Sequence, residues 1–154
     1  MRLALYQPDM AANAGTMLRL AACLGVAADI IEPCGFPFSI PAFRRAGMDY
    51  LQAGIIEHHL SFAHFSDLIQ RATPRPRVIL LSTKATQGYT EMIYRRDDIL
   101  MVGREGGGVP EDVHRACDER VLIPMMAGLR SLNVAVAAAM VLGEALRQTG
   151  QLPR

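Results

Sequence analysis

Two stretches concentrate residues that can do chemistry. The first, LMVGREGGGVP at residues 100–110, ends an apolar run at Gly103, places a lone carboxylate at Glu105, and continues through three glycines to Pro110. Three consecutive glycines cost the folded chain more backbone entropy than almost any alternative. A chain tolerates that where its main chain must come close to another backbone or to a ligand. The second stretch, IPMMAGLRSLN at 123–133, closes on Arg130, Ser131, Leu132 and Asn133, a largely hydrogen-bonding run before a long apolar segment. A flexible surface turn for the glycines, and a simple helix start capped by Ser131 or Asn133, are the structural alternatives. The glycines do not match GxGxxG and lack the GKS/T ending of a phosphate loop, which disfavours a dinucleotide or ATP site. Bare main-chain groups can instead read the edge of a purine and a ribose.

The elements that must position these residues alternate. Strands are predicted at 2–7, 28–33, 53–59, within 74–84, at 98–103 and at 120–125. Helices are predicted over 13–25, 41–47, 61–72, 110–116 and 131–150. Asn13 is placed as the N-cap of the first, with Leu18, Ala21, Ala22 and Val26 as its stripe and Gly25 as its stop. Ser61 is placed as the cap of the third, with Phe62, Phe65, Leu68 and Ile69 at helical spacing. The β-branched and leucine run of the fourth strand suggests a fully buried central position. This order predicts one domain over residues 1–154, an α/β fold with a mostly parallel sheet flanked by helices. In such sheets ligands bind outside the carboxyl ends of the strands. Three unusual loops follow strands there, after 76–81, 98–102 and 120–123, and their convergence predicts a crevice.

Composition limits the alternatives. Hydrophobic residues make up 51% and charged residues 20% of the 154, with a formal net charge of +1. That is ordinary for a globular protein, and any contact with nucleic acid must come from a local patch. Cys23, Cys34 and Cys117 are widely spaced, so neither a disulfide framework nor a metal site is expected. His58, His59, His64 and His114 show no ligand spacing and are read as surface or partly buried structural residues. The uncharged run at 131–143 falls short of the roughly 20 residues that span a bilayer. A soluble cytoplasmic protein with no membrane association is the expectation.

Taken together, NAGTMLRLAACLG (13–25), MVGREGGGVP (101–110) and IPMMAGLRSLNVAVAAAM (123–140) resemble the three motifs of the SPOUT superfamily of S-adenosylmethionine-dependent RNA methyltransferases. Within it, IIEPCGF (30–36) and FRRAGMDY (43–50) are similar to segments of the short TrmL-like tRNA 2′-O-methyltransferases. The likeness extends over essentially the full length. It implies a deep trefoil knot at the C-terminal end, a homodimer whose active site is completed across the interface, and methyl transfer to the ribose of the wobble nucleotide in a tRNA anticodon stem-loop. The same chemistry at another tRNA or rRNA position, and a non-catalytic RNA-binding dimer, are the competing readings.

The resemblance also implies roles for particular residues. Leu81, Gly103, Ile123, Ser131, Met125 and Leu132 would line the pocket for S-adenosylmethionine and its product S-adenosylhomocysteine, with no metal required, and the glycines would be permissive for the knot and for adenosine contact. Arg19, with Asn13, Glu105, Ser131 and Asn133, would form the catalytic group. A guanidinium offers donors only, so Arg19 is expected to orient a phosphate and stabilise the developing alkoxide rather than act as a base. Arg44, Arg45 and Arg130 are the candidate RNA contacts, and Arg71, Arg75 and Arg77 form a weaker basic spot. Two departures stand out: Ala85 follows Lys84 where the family often has glycine, and Ala135 stands where many relatives have serine.

Overall fold

The computed structural model describes residues 1–45 and 55–154, apart from the side chains of residues 44 and 45. Its strands are β1 (Arg2–Tyr6), β2 (Ala27–Ile31), β3 (Ile56–His59), β4 (Val78–Leu81), β5 (Ile99–Val102) and β6 (Glu119–Val121). They form one sheet in the order β3-β2-β1-β5-β4-β6, and every ladder in it is parallel. The helices are α1 (Ala11–Cys23), α2 (Ile40–Arg45), α3 (Phe62–Arg71), α4 (Glu111–Ala116) and α5 (Val134–Thr149). An α/β architecture with a parallel sheet between helices is therefore present as expected. β1 and β5 hold the centre. β4 is an inner strand, but it has only β6 outside it, so its apolar run reflects burial on both faces rather than a central place.

Side-chain alternation divides the core between the two faces of the sheet. Leu3 and Leu5 pack with Met17, Leu18, Val141 and Leu142 on the side of α1 and α5. Ala4 and Tyr6 point the other way and pack with Phe65, Val113 and Cys117 on the side of α3 and α4. Small residues let α1 and α5 approach closely, with Ala14, Ala21, Ala135 and Ala138 all buried between them and the sheet. Gly25 ends α1 at φ +66°, and the Val26 N–H returns to the Ala21 carbonyl at 2.8 Å. Ser61 caps α3 by accepting from the His64 N–H at 3.1 Å. Leu68 departs from its predicted place in the α3 stripe and is 46% exposed, because the sheet meets this helix chiefly through Phe65.

A buried polar network, with His59 Nδ1 left unpartnered, locks β1, β2 and β3. Asp29, 1% exposed, takes the Arg2 guanidinium in a two-pronged pair at 2.7 and 2.8 Å, and His59 Nε2 lies 2.8 Å from its Oδ1. Arg2 also reaches Glu57 at 3.2 Å. His59 is thus a buried structural residue. Asp29, Glu57 and His59 bring possible metal-ligand atoms within 4.8 Å of one another, but the guanidinium already engages both carboxylates. Removing one partner of such a buried pair leaves the others uncompensated. Asp29→Ala is expected to destabilise the fold by about 3 kcal/mol, read from the urea midpoint at unchanged slope.

No helix among the described residues is long and apolar enough to cross a membrane.

Candidate active site

The strand order reverses between β1 and β5: β2 and β3 continue outward from β1, while β4 and β6 continue outward from β5. Such a reversal is the usual neighbourhood of a ligand in parallel sheets, and here the loops leaving the carboxyl ends of β1 and β5 are bonded to each other beside it. A cavity of about 570 Å³ opens next to it, over the carboxyl ends of β4, β5 and β6 with Met10 and Asn13 on its β1 side, within the size range of small-molecule sites. All three predicted loops contribute to its wall, from 82–84 after β4, from 103–109 after β5, and from 122–133 after β6.

The glycine loop closes on itself. The Arg104 N–H donates to the Gly108 carbonyl at 3.0 Å, and the Gly108 N–H donates back to the Arg104 carbonyl at 2.9 Å. A Cβ at residue 103 would lie 2.7 Å from the carbonyl carbon of Gly108, and Gly108 itself has φ +62°. Glycine at these two positions is required by the close approach and tight return of the loop itself. The result is a run of exposed main chain at the lip of the cavity.

Asn13, expected as the N-cap of the first helix, lies inside α1, which starts at Ala11 without a side-chain cap. Its side chain is freed for a different task. Asn13 Nδ2 donates to Glu105 Oε1 at 3.2 Å, and Asn13 Oδ1 accepts from Asn133 Nδ2 at 3.1 Å. Asn133 Oδ1 in turn caps α5 by accepting from the N–H groups of Ala135 and Val136. The second oxygen of Glu105 accepts from the Asp9 N–H at 2.9 Å. One polar chain thereby ties the glycine loop, α1 and the start of α5 together. The predicted helix over 131–150 is shorter at its start, and RSLN forms the approach to α5 rather than its first turn.

Leu81, Gly103, Ile123, Met125, Ser131 and Leu132 all stand in the cavity wall, as do Asn13, Glu105, Asn133 and Arg130. Arg19 does not. It lies on the exposed side of α1, one turn beyond Thr16, and Thr16 borders a shallow groove between α1 and α5 with Val136, Ala139 and Met140. Arg44 and Arg45 fall in α2 with side chains outside the described residues, and most of FRRAGMDY lies outside them altogether. The second basic spot is spent elsewhere: Arg75 pairs with Asp118 and Arg77 with buried Asp98, before β4 and so at the end of the sheet opposite the cavity.

The wall also holds Lys84 and Arg104, to which the sequence by itself assigns no role. Only tertiary placement brings them there. With Arg130 they set three permanent cations against the single carboxylate of Glu105, a local field suited to a polyanion. The Nε2 of His114 is buried without a hydrogen-bond partner.

The SpoU rRNA methylase family pattern matches residues 1–143. The chain belongs to the SpoU rRNA methylase family. It is 62% identical over 152 residues to a tRNA (cytidine(34)-2′-O)-methyltransferase of Beijerinckia indica subsp. indica, covering 99% of this chain and 94% of that one. A solved structure described as giving insights into the 2-OH methylation of C/U34 on tRNA superposes with TM-score 0.86 at 39% identity, covering 96% of this chain and 94% of the other. An AdoMet-bound rRNA methyltransferase from Sinorhizobium meliloti superposes with TM-score 0.82 at 27% identity, over 95% of this chain and 55% of that one.

In this SpoU-family chain burial pushes the half-buried Cys34 and the buried Cys117 thiols up to about 12, which disfavours a thiolate at neutral pH. The cavity combines apolar walls, exposed main chain and peripheral cations.

Proposed function

We propose that the chain is an S-adenosylmethionine-dependent tRNA 2′-O-methyltransferase acting on the ribose of the wobble nucleotide, position 34. The observation that carries this reading is the cavity over the carboxyl ends of β4, β5 and β6, with the main chain of the glycine loop on one side and the apolar walls of Leu81, Val102 and Ile123 around it. Its size and its mixture of apolar surface and main-chain groups fit an adenosyl ligand. The near-full-length similarity to a cytidine-34 enzyme gives the substrate class.

When bound, S-adenosylmethionine supplies a methyl group made electrophilic by a sulfonium. Main-chain groups of the glycine loop and of the segment around Ile123 and Met125 would hold its adenosyl end. Asn13, Glu105 and Asn133 hold those segments in register. Arg19 orients the target phosphate and stabilises negative charge developing on the ribose 2′-oxygen. Arg130, Arg44 and Arg45 take further phosphates of the anticodon stem-loop.

The protein works as a homodimer of single-domain chains in the cytoplasm. α5 supports this: its inward residues Ala138, Val141 and Leu142 are buried, yet Val136 and Met140 remain 51% and 38% exposed beside the groove with α1. A second copy seated there would cover that face, with Arg19 one turn along the same exposed side of α1. A trefoil knot formed by the C-terminal segment accords with two contacts. Leu122 runs beside Gln87–Tyr89, bonded to both at 2.9 Å, and Gln148 on α5 holds the Met92 carbonyl and the Tyr94 N–H.

Methyl transfer from labelled S-adenosylmethionine to an anticodon stem-loop, with a matched stem-loop carrying 2′-deoxyribose at position 34, tests the reading. The first is expected to be labelled and the second to stay at background. Equal labelling of both would exclude the wobble 2′-oxygen as the acceptor.

A further inference from the structure

Three strand-end loops meet on Asp9, a half-buried residue just outside the cavity wall. Its N–H donates to Glu105 Oε2 at 2.9 Å, and its carboxylate Oδ2 accepts the N–H of Gly106, the next residue along, at 3.1 Å. The loops after β1 and β5 therefore exchange two charge-assisted hydrogen bonds, each from a backbone N–H of one loop to a carboxylate of the other. The loop after β2 presses on the same residue from the far side. The Gly35 N–H donates to the Pro8 carbonyl at 2.9 Å, and a Cβ on Gly35 would lie 2.7 Å from the Asp9 carbonyl oxygen. Only glycine allows that contact of backbone on backbone. Two residues earlier, Gln7 holds φ at +43°, a conformation that persists in a residue with a side chain only where its surroundings over-determine it.

We propose that Asp9 is a positioning residue: by holding Gly106 and Glu105 together it fixes the glycine loop in the conformation that grips the cofactor. The role rests on the S-adenosylmethionine reading above and adds to it the residue on which the glycine loop is mounted. Asp9 is well placed for this because it sits at the strand-order reversal, where the loops of β1 and β5 would otherwise part. The carboxylate of Glu105 cannot do the task alone, since it leaves the Gly106 N–H without an acceptor.

Calorimetric binding of S-adenosylhomocysteine to the wild-type protein, Asp9→Ala and Asp9→Asn tests the proposal, with steady-state methyl transfer alongside. Asp9→Ala is expected to bind about tenfold more weakly, the loss of one hydrogen bond to a charged group. Asp9→Asn keeps a carbonyl oxygen for the Gly106 N–H and is expected to stay within about threefold of wild type. KM for the stem-loop is expected to be unchanged in both, because the clasp acts on the cofactor side. Should Asp9→Ala not fold, Gly35→Ala pushes on Asp9 from behind and is expected to weaken the same binding. Wild-type affinity in Asp9→Ala, or an Asp9→Asn protein as weak as Asp9→Ala, would overturn the proposal while leaving the methyltransferase reading intact. A wild-type protein that binds no S-adenosylhomocysteine would overturn both.

Discussion

Gly103→Ala is expected to weaken S-adenosylhomocysteine binding by about ten- to a hundredfold in a chain that still folds. The added Cβ would sit 2.7 Å from the carbonyl carbon and 2.8 Å from the Cα of Gly108. Both are backbone atoms, so no side-chain rotation relieves the overlap. Either the 104–108 loop opens and loses its two mutual hydrogen bonds, or Val102 is pulled from the end of β5. Each outcome displaces the lip of the cavity. Gly107→Ala is the comparison: its Cβ would meet no protein atom within 4 Å, so the loop closes as before and the loss of binding is expected to be smaller than in Gly103→Ala. Calorimetry on the two variants, with thermal melting to verify folding, separates a steric requirement at one glycine from a general effect of stiffening the loop. Equal affinities would mean that the loop's closure does not shape the cofactor site.

The second large effect is expected at Arg19. Arg19→Ala should lower kcat by about 10²–10³-fold, the usual loss when one donor to a developing oxyanion is removed. S-adenosylhomocysteine affinity should not change, since Arg19 is not part of the cavity wall. Arg19→Lys keeps the charge but loses the planar fork, so an intermediate loss is expected rather than full rescue. Because Arg19 lies on the exposed side of its own chain, it can serve the cavity of a second copy. Mixing equal amounts of Arg19→Ala and Gly103→Ala chains tests this. Random pairing gives half mixed dimers, each with one intact composite site, so recovery of about a quarter of wild-type activity is expected. No recovery would place Arg19 and the cavity it serves in the same chain, and an unchanged kcat in Arg19→Ala alone would remove Arg19 from the reaction.

These two residues show how differently the sequence speaks. Gly103 and Glu105 stand out because three glycines after a buried strand are expensive unless a backbone contact requires them. The sequence could not name the contact, which proved to be Gly108 in the same loop. Asn13 stands out as a hydrogen-bonding residue before an apolar helical stripe, and the local rule made it a cap. In the fold the helix begins two residues earlier, and the side chain turns to Glu105 and Asn133, partners 92 and 120 residues away. Capping rules see only a few neighbours, so they cannot weigh such partners. Leu68 follows the same logic in reverse: helical spacing assigned it to the core, but the sheet beneath α3 is reached through Phe65.

What the chain's order of residues determined by itself is the alternation of strands and helices, the parallel sheet, and the loops that gather at its carboxyl edge. Those follow from periodicity, glycine and proline, which act over a few residues at a time. Tertiary structure alone decided the strand order, and with it the meeting of β1 and β5. That meeting lets Asp9, Asn13, Glu105, Gly106 and Asn133 bond to one another across the chain. It also decided which cations face the cavity and which, like Arg75 and Arg77, are consumed in ion pairs at the other end. The physical reason is range: a hydrogen bond acts over about 3 Å of space regardless of separation along the chain, and only the folded backbone says which residues are that close.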